Sequence, residues 1–332
     1  MSKGKLLGIY SLLVLLLLAI TLFSLTNGQL AISFEDFLQV VFGSGSKVQR
    51  LLIIDFRLPR IIIAVLAGGA LGLSGTILQS VTQNPLADSG ILGINAGAGF
   101  AVLLFISFFE ATTATVFLLP FVALLGALAT AGSILLIAYD RRKGLTPVRM
   151  VLTGVVLSTG IAALTILLTT KLDAENYRFV TMWQAGTIWG SNWSFAGALL
   201  PWLVLVFVIA LRKHRVYDIL QLGDETAISV GMEAGKERLF SLILAVSGAA
   251  AAISVTGGIS FLGLIAPHIV RKLGAAKHKD ILPLSLLTGS VLLLLSDTIG
   301  RTIQEKGEIP AGVIVAIIGA PYFLYLLLRS DK

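Results

Sequence analysis

Long apolar runs separated by short polar connections dominate this chain, and their lengths suit a bilayer better than a globular core. A helix needs about 20 apolar residues to cross the ~30 Å hydrocarbon layer. Ten stretches carry that pattern: residues 6–26, 61–81, 91–109, 116–139, 150–170, 196–211, 239–256, 259–270, 281–300 and 311–328. The eighth is too short to cross unaided and is counted because its neighbours need it to reverse direction. Lys3 and Lys5 before the first run resemble the start of a signal peptide. That run is longer than a secretory apolar region and no small-x-small cleavage site closes it, so it reads as a retained span.

Between the second and third runs lies Asn84-Pro85-Leu86-Ala87-Asp88-Ser89-Gly90-Ile91-Leu92-Gly93. Pro85 removes a donor and pushes Asn84 out of the helical region, while Gly90 and Gly93 permit close packing where the chain restarts. Irregular backbone at membrane depth survives only inside protein or along a wet cavity. Broken helices of this kind mark a translocation path or gate in membrane proteins. The pattern therefore points to transport.

Composition supports the membrane reading. Of 332 residues 56% are hydrophobic and 13% charged, with a mean hydropathy of +0.93. The absence of cysteine excludes disulfides, thiolate metal sites and cysteine nucleophiles. The net charge of +7 follows the loops. With ten spans, 17 of the 25 Lys and Arg fall on the side of the N-terminus and 8 on the other. That is the positive-inside signature, so both termini are expected in the cytoplasm and no nucleic-acid partner is needed to explain the charge. There is no G-x-x-x-x-G-K-[ST] run, so the chain is not expected to hydrolyse nucleotide itself.

A weak internal repeat appears at an offset of 180: Gly68, Ala70, Ser74 and Thr76 match Gly248, Ala250, Ser254 and Thr256. Five spans separate the copies, which makes the expected halves, about 1–180 and 181–332, inverted repeats of one transmembrane domain. Chance matching of Ala/Gly-rich helices is the competing explanation. Of the connections, 27–59 contains a short helix over 32–42 with Ser33 as N-cap. Loop 171–194 carries Trp183, Trp189 and Trp193 with two glycines, which suits an aromatic belt or a re-entrant segment. Loop 212–238 is the longest inner connection, and 271–280 is short and basic. Within 212–238, Asp224, Glu225 and Thr226 would open a short helix that Gly231 ends in a left-handed cap. A second short helix would follow through Lys236 into the seventh span. Two stubby helices along the membrane would offer a surface to a cytosolic partner, unless the segment is an ordinary solvated loop.

Several motifs together resemble one family. They are Leu58-Pro59 flanked by Arg57 and Arg60, Gln79 with Asn84-Pro85-Leu86-Ala87-Asp88, and Leu222-Gly223-Asp224-Glu225-Thr226-Ala227. Further along come Gly263-Leu264-Ile265-Ala266-Pro267-His268-Ile269-Val270-Arg271, Glu308-Ile309-Pro310-Ala311-Gly312 and Gly319-Ala320-Pro321. In order and spacing the chain resembles the FecCD-type permeases of ABC importers, the subunits that carry iron–siderophores, haem or cobalamin. Ser89 stands where the family usually has proline, and Ala266 where a larger aliphatic is usual.

The resemblance implies an all-α polytopic protein of the bacterial cytoplasmic membrane, with about ten transmembrane helices in two inverted five-helix repeats. It implies a second permease subunit, two cytosolic ABC ATPase subunits, an extracytoplasmic substrate-binding protein and a metal chelate as cargo, with no catalytic residue and no cofactor. Coupling to the ATPase falls on the helices within 221–238, through Leu222, Gly223, Asp224, Glu225, Ala227 and Gly231. The cytoplasmic gate falls on Asn84, Pro85, Leu86, Thr146 and Pro147. Docking of the binding protein falls on Arg57, Arg60 and Arg301, against the plainer role of headgroup snorkelling.

Gln79, Asn95 and Thr82 either line the path or make interhelical hydrogen bonds. His268 stands apart from His214 and His278, so no metal-ligand set is expected and a packing or capping role suits it. Asp297 and Glu308 near the ends of the last two spans leave one alternative open, an ion-coupled secondary transporter.

Overall fold

Helix α4 (Leu58–Thr82) organises the structure because its composition lets neighbours approach from every side. Pro59 stands where the π-helical turn gives way to α4, and every residue from Gly68 to Thr82 is buried. At Gly75 a Cβ would run into the Gly263 carbonyl, and at Gly68 into that of Gly289. Without side chains there, the helices of residues 262–272 and 278–302 pack almost backbone to backbone on α4. This is how membrane helices gain contact when the hydrophobic effect between them is absent.

The computed structural model describes residues 3–28, 32–109, 113–140, 144–188, 190–304 and 307–330. Ahead of α4 come α1 (Lys3–Thr26), α2 (Phe34–Val41), α3 (Lys47–Arg50) and a π-helical stretch, Leu51–Arg57, that runs straight into α4. A 3-10 turn, Ser89–Leu92, precedes α5 (Ile94–Phe108) and α6 (Thr113–Ala138). A minimal hairpin of β1 (Tyr139–Asp140) and β2 (Gly144–Leu145) leads to α7 (Pro147–Thr169), α8 (Ala174–Gln184) and α9 (Trp193–Arg212). Then come α10 (His214–Leu220), α11 (Asp224–Ser229), α12 (Ala234–Thr256), α13 (Leu262–Lys272), α14 (His278–Thr302) and α15 (Ala311–Ser330).

Among the described residues, seven helices are long and apolar enough to cross a membrane, and α5 and the apolar part of α15 are shorter. With the 11-residue α13 they coincide with the ten expected runs. Two starts differ. The third run begins at Ile94 because Gly93 takes a left-handed conformation after the 3-10 turn. The eighth begins at Leu262 because 257–261 is non-helical and Phe261 sits at φ 66°. The α2 helix is capped as expected, with Ser33 and Asp36 forming a reciprocal capping box. Trp189 of the tryptophan-rich loop, and Lys306, Lys332 and residues 141–143 of the charge pattern, lie outside the described residues.

The α4 and α12 helices, which carry the two copies of the repeated small-residue pattern, pack along one another. Thr76 donates to the Gly72 carbonyl and Thr256 to that of Ala252, so matched threonines make the same bond one turn back. By contrast, α7 is exposed along nearly its whole apolar length.

Candidate functional site

The breaks in the helices gather in one place. Gln83 leaves α4 in a left-handed conformation (φ 52°), and Asn84 folds its side chain back to accept from Leu86 N at 2.9 Å. The next acidic side chain reaches across the fold: Asp88 Oδ2 accepts from Phe261 N at 3.0 Å, at the start of α13. Asn95 of α5 donates to Ile259 O and Ser260 Oγ, both at 3.2 Å. The turn after α4 is thus latched to the second helix break, residues 257–261. Both breaks find their partners inside protein. Burial raises the Asp88 carboxyl above the ordinary carboxylate range, and N–H donation from Ser89 and Phe261 opposes that rise. Leu86 rests on Leu264 and Ile265 with Tyr322 and Phe323 nearby.

The second break also receives the tip of α8. Gly258 N donates to Trp183 O at 3.3 Å, and Gly312 N to Gly186 O at 3.0 Å. Of the two roles weighed for loop 171–194, the backbone therefore favours a segment that turns back among the helices. A cleft of about 510 Å³ lies beside it, lined by Glu175, Arg178, Phe179, Trp183 and Phe195 among others.

At the far end of α4 from Arg60, α10 and α11 form a cap over the bundle. Gly223 (φ 106°) opens α11 and Gly231 (φ 81°) follows it, both in conformations that L side chains rarely adopt. The second short helix lies before α11, as α10, and residues 234–238 are simply the first turns of α12. The expectation of a second helix after Gly231 is corrected accordingly: Glu233 is the N-cap of α12, which starts at Ala234 without a break. Ala227 is fully buried beneath α11, whereas Leu222, Ile228 and Val230 are 69%, 66% and 62% exposed. Glu225 stands in the first turn of α11 with Asp224.

Two buried side chains, Arg238 and His278, fasten this cap to the bundle. Arg238 Nη1 donates to Asp224 Oδ2 at 3.1 Å and to Leu145 O at 3.2 Å, Nη2 donates to Asp224 Oδ1, and Nε donates to Val81 O at 3.2 Å. His278 stands between Asp218 Oδ1, 2.7 Å from Nδ1, and Ser80 Oγ, 2.6 Å from Nε2. Leu145 is followed directly by Thr146, the N-cap of α7, and Pro147 occupies its first turn. The two turns expected to gate are therefore tied to one guanidinium.

At the opposite end, Arg57, Arg60 and Arg301 come together as expected, but as a closed network rather than a free surface fork. Arg60 binds Asp297 through Nε and Nη2, at 3.0 and 2.8 Å to Oδ1, and reaches Glu308 Oε2 at 2.9 Å. Arg301 Nε donates to Asp297 Oδ2 at 3.1 Å, and its Nη2 to Ser24 Oγ. Arg57 donates to the Leu25 carbonyl in the last turn of α1, where the helix dipole favours a cation. Arg57, Arg60, Arg301 and Glu308 share a cleft of about 470 Å³.

Gln79 is buried and spends its amide on α13, donating to Leu264 O at 3.3 Å and accepting from Arg271 Nη1. Gln79 and Asn95 thus both make the interhelical bonds weighed against path lining. Thr82 bonds back to Leu78 O at 2.7 Å. His268 meets the Tyr322 ring edge-on, with centroids 5.5 Å apart, in keeping with a packing role. Sequence reasoning missed Arg238, His278 and Asp218. The only signal for Arg238 was a charge at the very edge of an apolar run, and His278 was hidden between two lysines.

Comparison with known proteins agrees with this architecture. The model of the FecCD transport family matches residues 15–329. The iron(3+)-hydroxamate import system permease protein FhuG of Bacillus subtilis is 42% identical over 322 residues, covering 96% of this chain and 95% of that protein. The ferric enterobactin transport system permease protein FepD of Escherichia coli is 35% identical, covering 96% and 95%. A solved structure described as an inward-facing conformation of a metal-chelate type ABC transporter superposes with a TM-score of 0.83 at 29% identity, covering 99% of this chain and 100% of that one. With ten helical segments in the expected places and a family match over nearly its full length, the chain belongs to the FecCD transport family, as a membrane-embedded permease and not an enzyme.

Proposed function

We propose that this permease forms half of the translocation path of an ABC importer for ferric siderophores or related metal chelates. The observation that carries the reading is the cap. Leu222, Ile228 and Val230 stand exposed on a surface whose buried side is tied through Arg238 to the end of α4 and the entry to α7. An exposed apolar cluster rimmed by charge asks for a protein partner. In this reading the cap faces the cytoplasm, consistent with the excess of Lys and Arg on that side, and receives a cytosolic ATPase. Residues 84–86 and 146–147 form the cytoplasmic gate, and the long exposed α7 is covered by lipid and a second permease subunit.

The arginine end then faces outward, and its cleft receives an acidic side chain of the binding protein. The arginines lining the cleft supply the attraction, although Arg60 is already committed to Asp297 and Glu308. The relatives named for iron-hydroxamate and enterobactin support the class of cargo. An ion-coupled carrier has less support: both Asp297 oxygens are occupied by guanidinium donors, so a travelling proton would have to break that network first.

The test is uptake in proteoliposomes holding the permease with a co-expressed ATPase and binding protein. Ferric hydroxamate should accumulate only with ATP inside the reconstituted cytosolic compartment, and an uncoupler should leave the rate unchanged. Uptake that follows an ion gradient and ignores ATP would establish the carrier reading instead.

A further inference from the structure

Burying an arginine is costly unless its donors are satisfied, and packing alone would be served as well by an apolar side chain. Arg238 is 5% exposed, and the carboxylate it meets belongs to Asp224, whose side chain is 47% exposed. A half-solvated carboxylate is a weak reason to bury a guanidinium, because solvent screens the pair. What sets Arg238 apart is the position of its partners. Asp224 is the first residue of α11. Val81 lies in the last turn of α4, two residues before the left-handed Gln83 that opens the 84–88 turn, and its carbonyl has no intrahelical donor. Leu145 is the residue before Thr146 and Pro147. Each partner stands at the edge of a different segment.

Resting on the importer reading above, we infer that Arg238 is the positioning residue that joins the ATPase-facing cap to both gate turns. One planar guanidinium holds α11 through Asp224, the end of α4 through the Val81 carbonyl and the entry to α7 through the Leu145 carbonyl. A displacement of α11 is therefore passed to residues 84–86 and 146–147 together. The fork geometry is essential, since a lysine ammonium in that space reaches fewer of these partners in fixed directions. Gln83 adds a parallel tie, its Nε2 donating to Leu220 O at 3.0 Å. His278 has a separate role, fastening α10 to Ser80 within α4 without touching either gate turn.

The chain has no cysteine, so pairs introduced at Ile228 with Asn84, Ile228 with Thr146, and Asn84 with Thr146 carry spin labels uniquely. Distance distributions are measured by pulsed electron paramagnetic resonance in the liposome-reconstituted permease–ATPase complex, without and with ATP. In the wild-type background all three distributions are narrow, and the two cap-to-gate distances keep their values when ATP is added. Arg238→Met broadens both cap-to-gate distributions together, and uptake per ATP hydrolysed falls about tenfold, the equivalent of one charge-assisted hydrogen bond. Asp224→Ala frees the cap alone: both cap-to-gate distributions broaden while Asn84–Thr146 stays narrow. A residue important only for stability would not produce that split.

Wild-type widths in Arg238→Met, or broadening confined to one turn, overturn the inference. Should Arg238→Met fail to assemble, unbroadened cap-to-gate distances in Asp224→Ala overturn it just as well. The nucleotide-free distances judge the strut by itself, whereas absence of ATP-driven uptake in the wild type refutes the importer reading and leaves those distances standing.

Discussion

The two ends of α4 both carry buried arginines, yet they use them differently. At the arginine end, Arg60 and Arg301 face carboxylates on α14 and in the approach to α15, so charge meets charge within the bundle. At the cap end, Arg238 spends half its bonds on backbone carbonyls at the edges of elements. A buried ion pair is strong only while both partners stay in place, and losing one leaves an uncompensated charge. Such a network suits helices that must stay together. A guanidinium on carbonyls ties neighbouring segment ends without a second buried charge, which suits segments that move as one. The first end is a staple, and the second a linkage.

The largest expected effect breaks the staple. Arg60→Glu sets a third carboxylate beside Asp297 and Glu308 and should cost about 3–5 kcal/mol, as for other broken buried pairs. Purified protein should lose its cooperative melting transition or aggregate in detergent, and uptake should vanish with it. A variant that melts like wild type yet fails to bind the delivery protein would instead make Arg60 a docking residue, free of any structural duty.

Next in size is Asp218→Ala at the cap. It strips His278 of its acceptor for both backbone and ring N–H, and an unpaired buried donor costs about 1–3 kcal/mol. The melting temperature should fall moderately while membrane insertion persists. No change in melting would show that water replaces the carboxylate, and the cap would then be looser than its bonding pattern indicates.

Gly223→Val sharpens the contrast by acting on geometry alone. Nothing lies within contact of a side chain there, but φ 106° is strained for any L residue, at a cost of order 1–3 kcal/mol. Because the cap is exposed, the strain should be relieved locally. The global melt should barely move, and ATPase activity should no longer respond to loaded binding protein. Normal stimulation would remove this turn from the coupling role.

The smallest effect is Ser33→Ala, which deletes the capping box of α2 and should cost about 1 kcal/mol without altering uptake. It lies outside both networks and serves as the control for the other three, checked by melting and transport in the same preparation.

Much of this was legible from the chain itself, and for a plain reason: lipid imposes length and apolarity on every span, so the number and order of helical segments are written in hydropathy. The helix break at 84–93, the left-handed Gly231 and the Ser33 cap were equally readable, since proline, glycine and capping residues act within a few positions of themselves. What only the tertiary structure decided is where the polar side chains of those segments end. Arg238 reaches back 157 residues to Val81 and 93 to Leu145, His278 reaches 198 to Ser80, and Asp88 reaches 173 forward to Phe261. Arg57, Arg60 and Arg301 do lie together, but their burial with Asp297 and Glu308 was not foreseen. A hydrogen bond has no sequence period: local composition determines which segments become helices, and packing alone determines which distant carbonyl or carboxylate a buried cation must find.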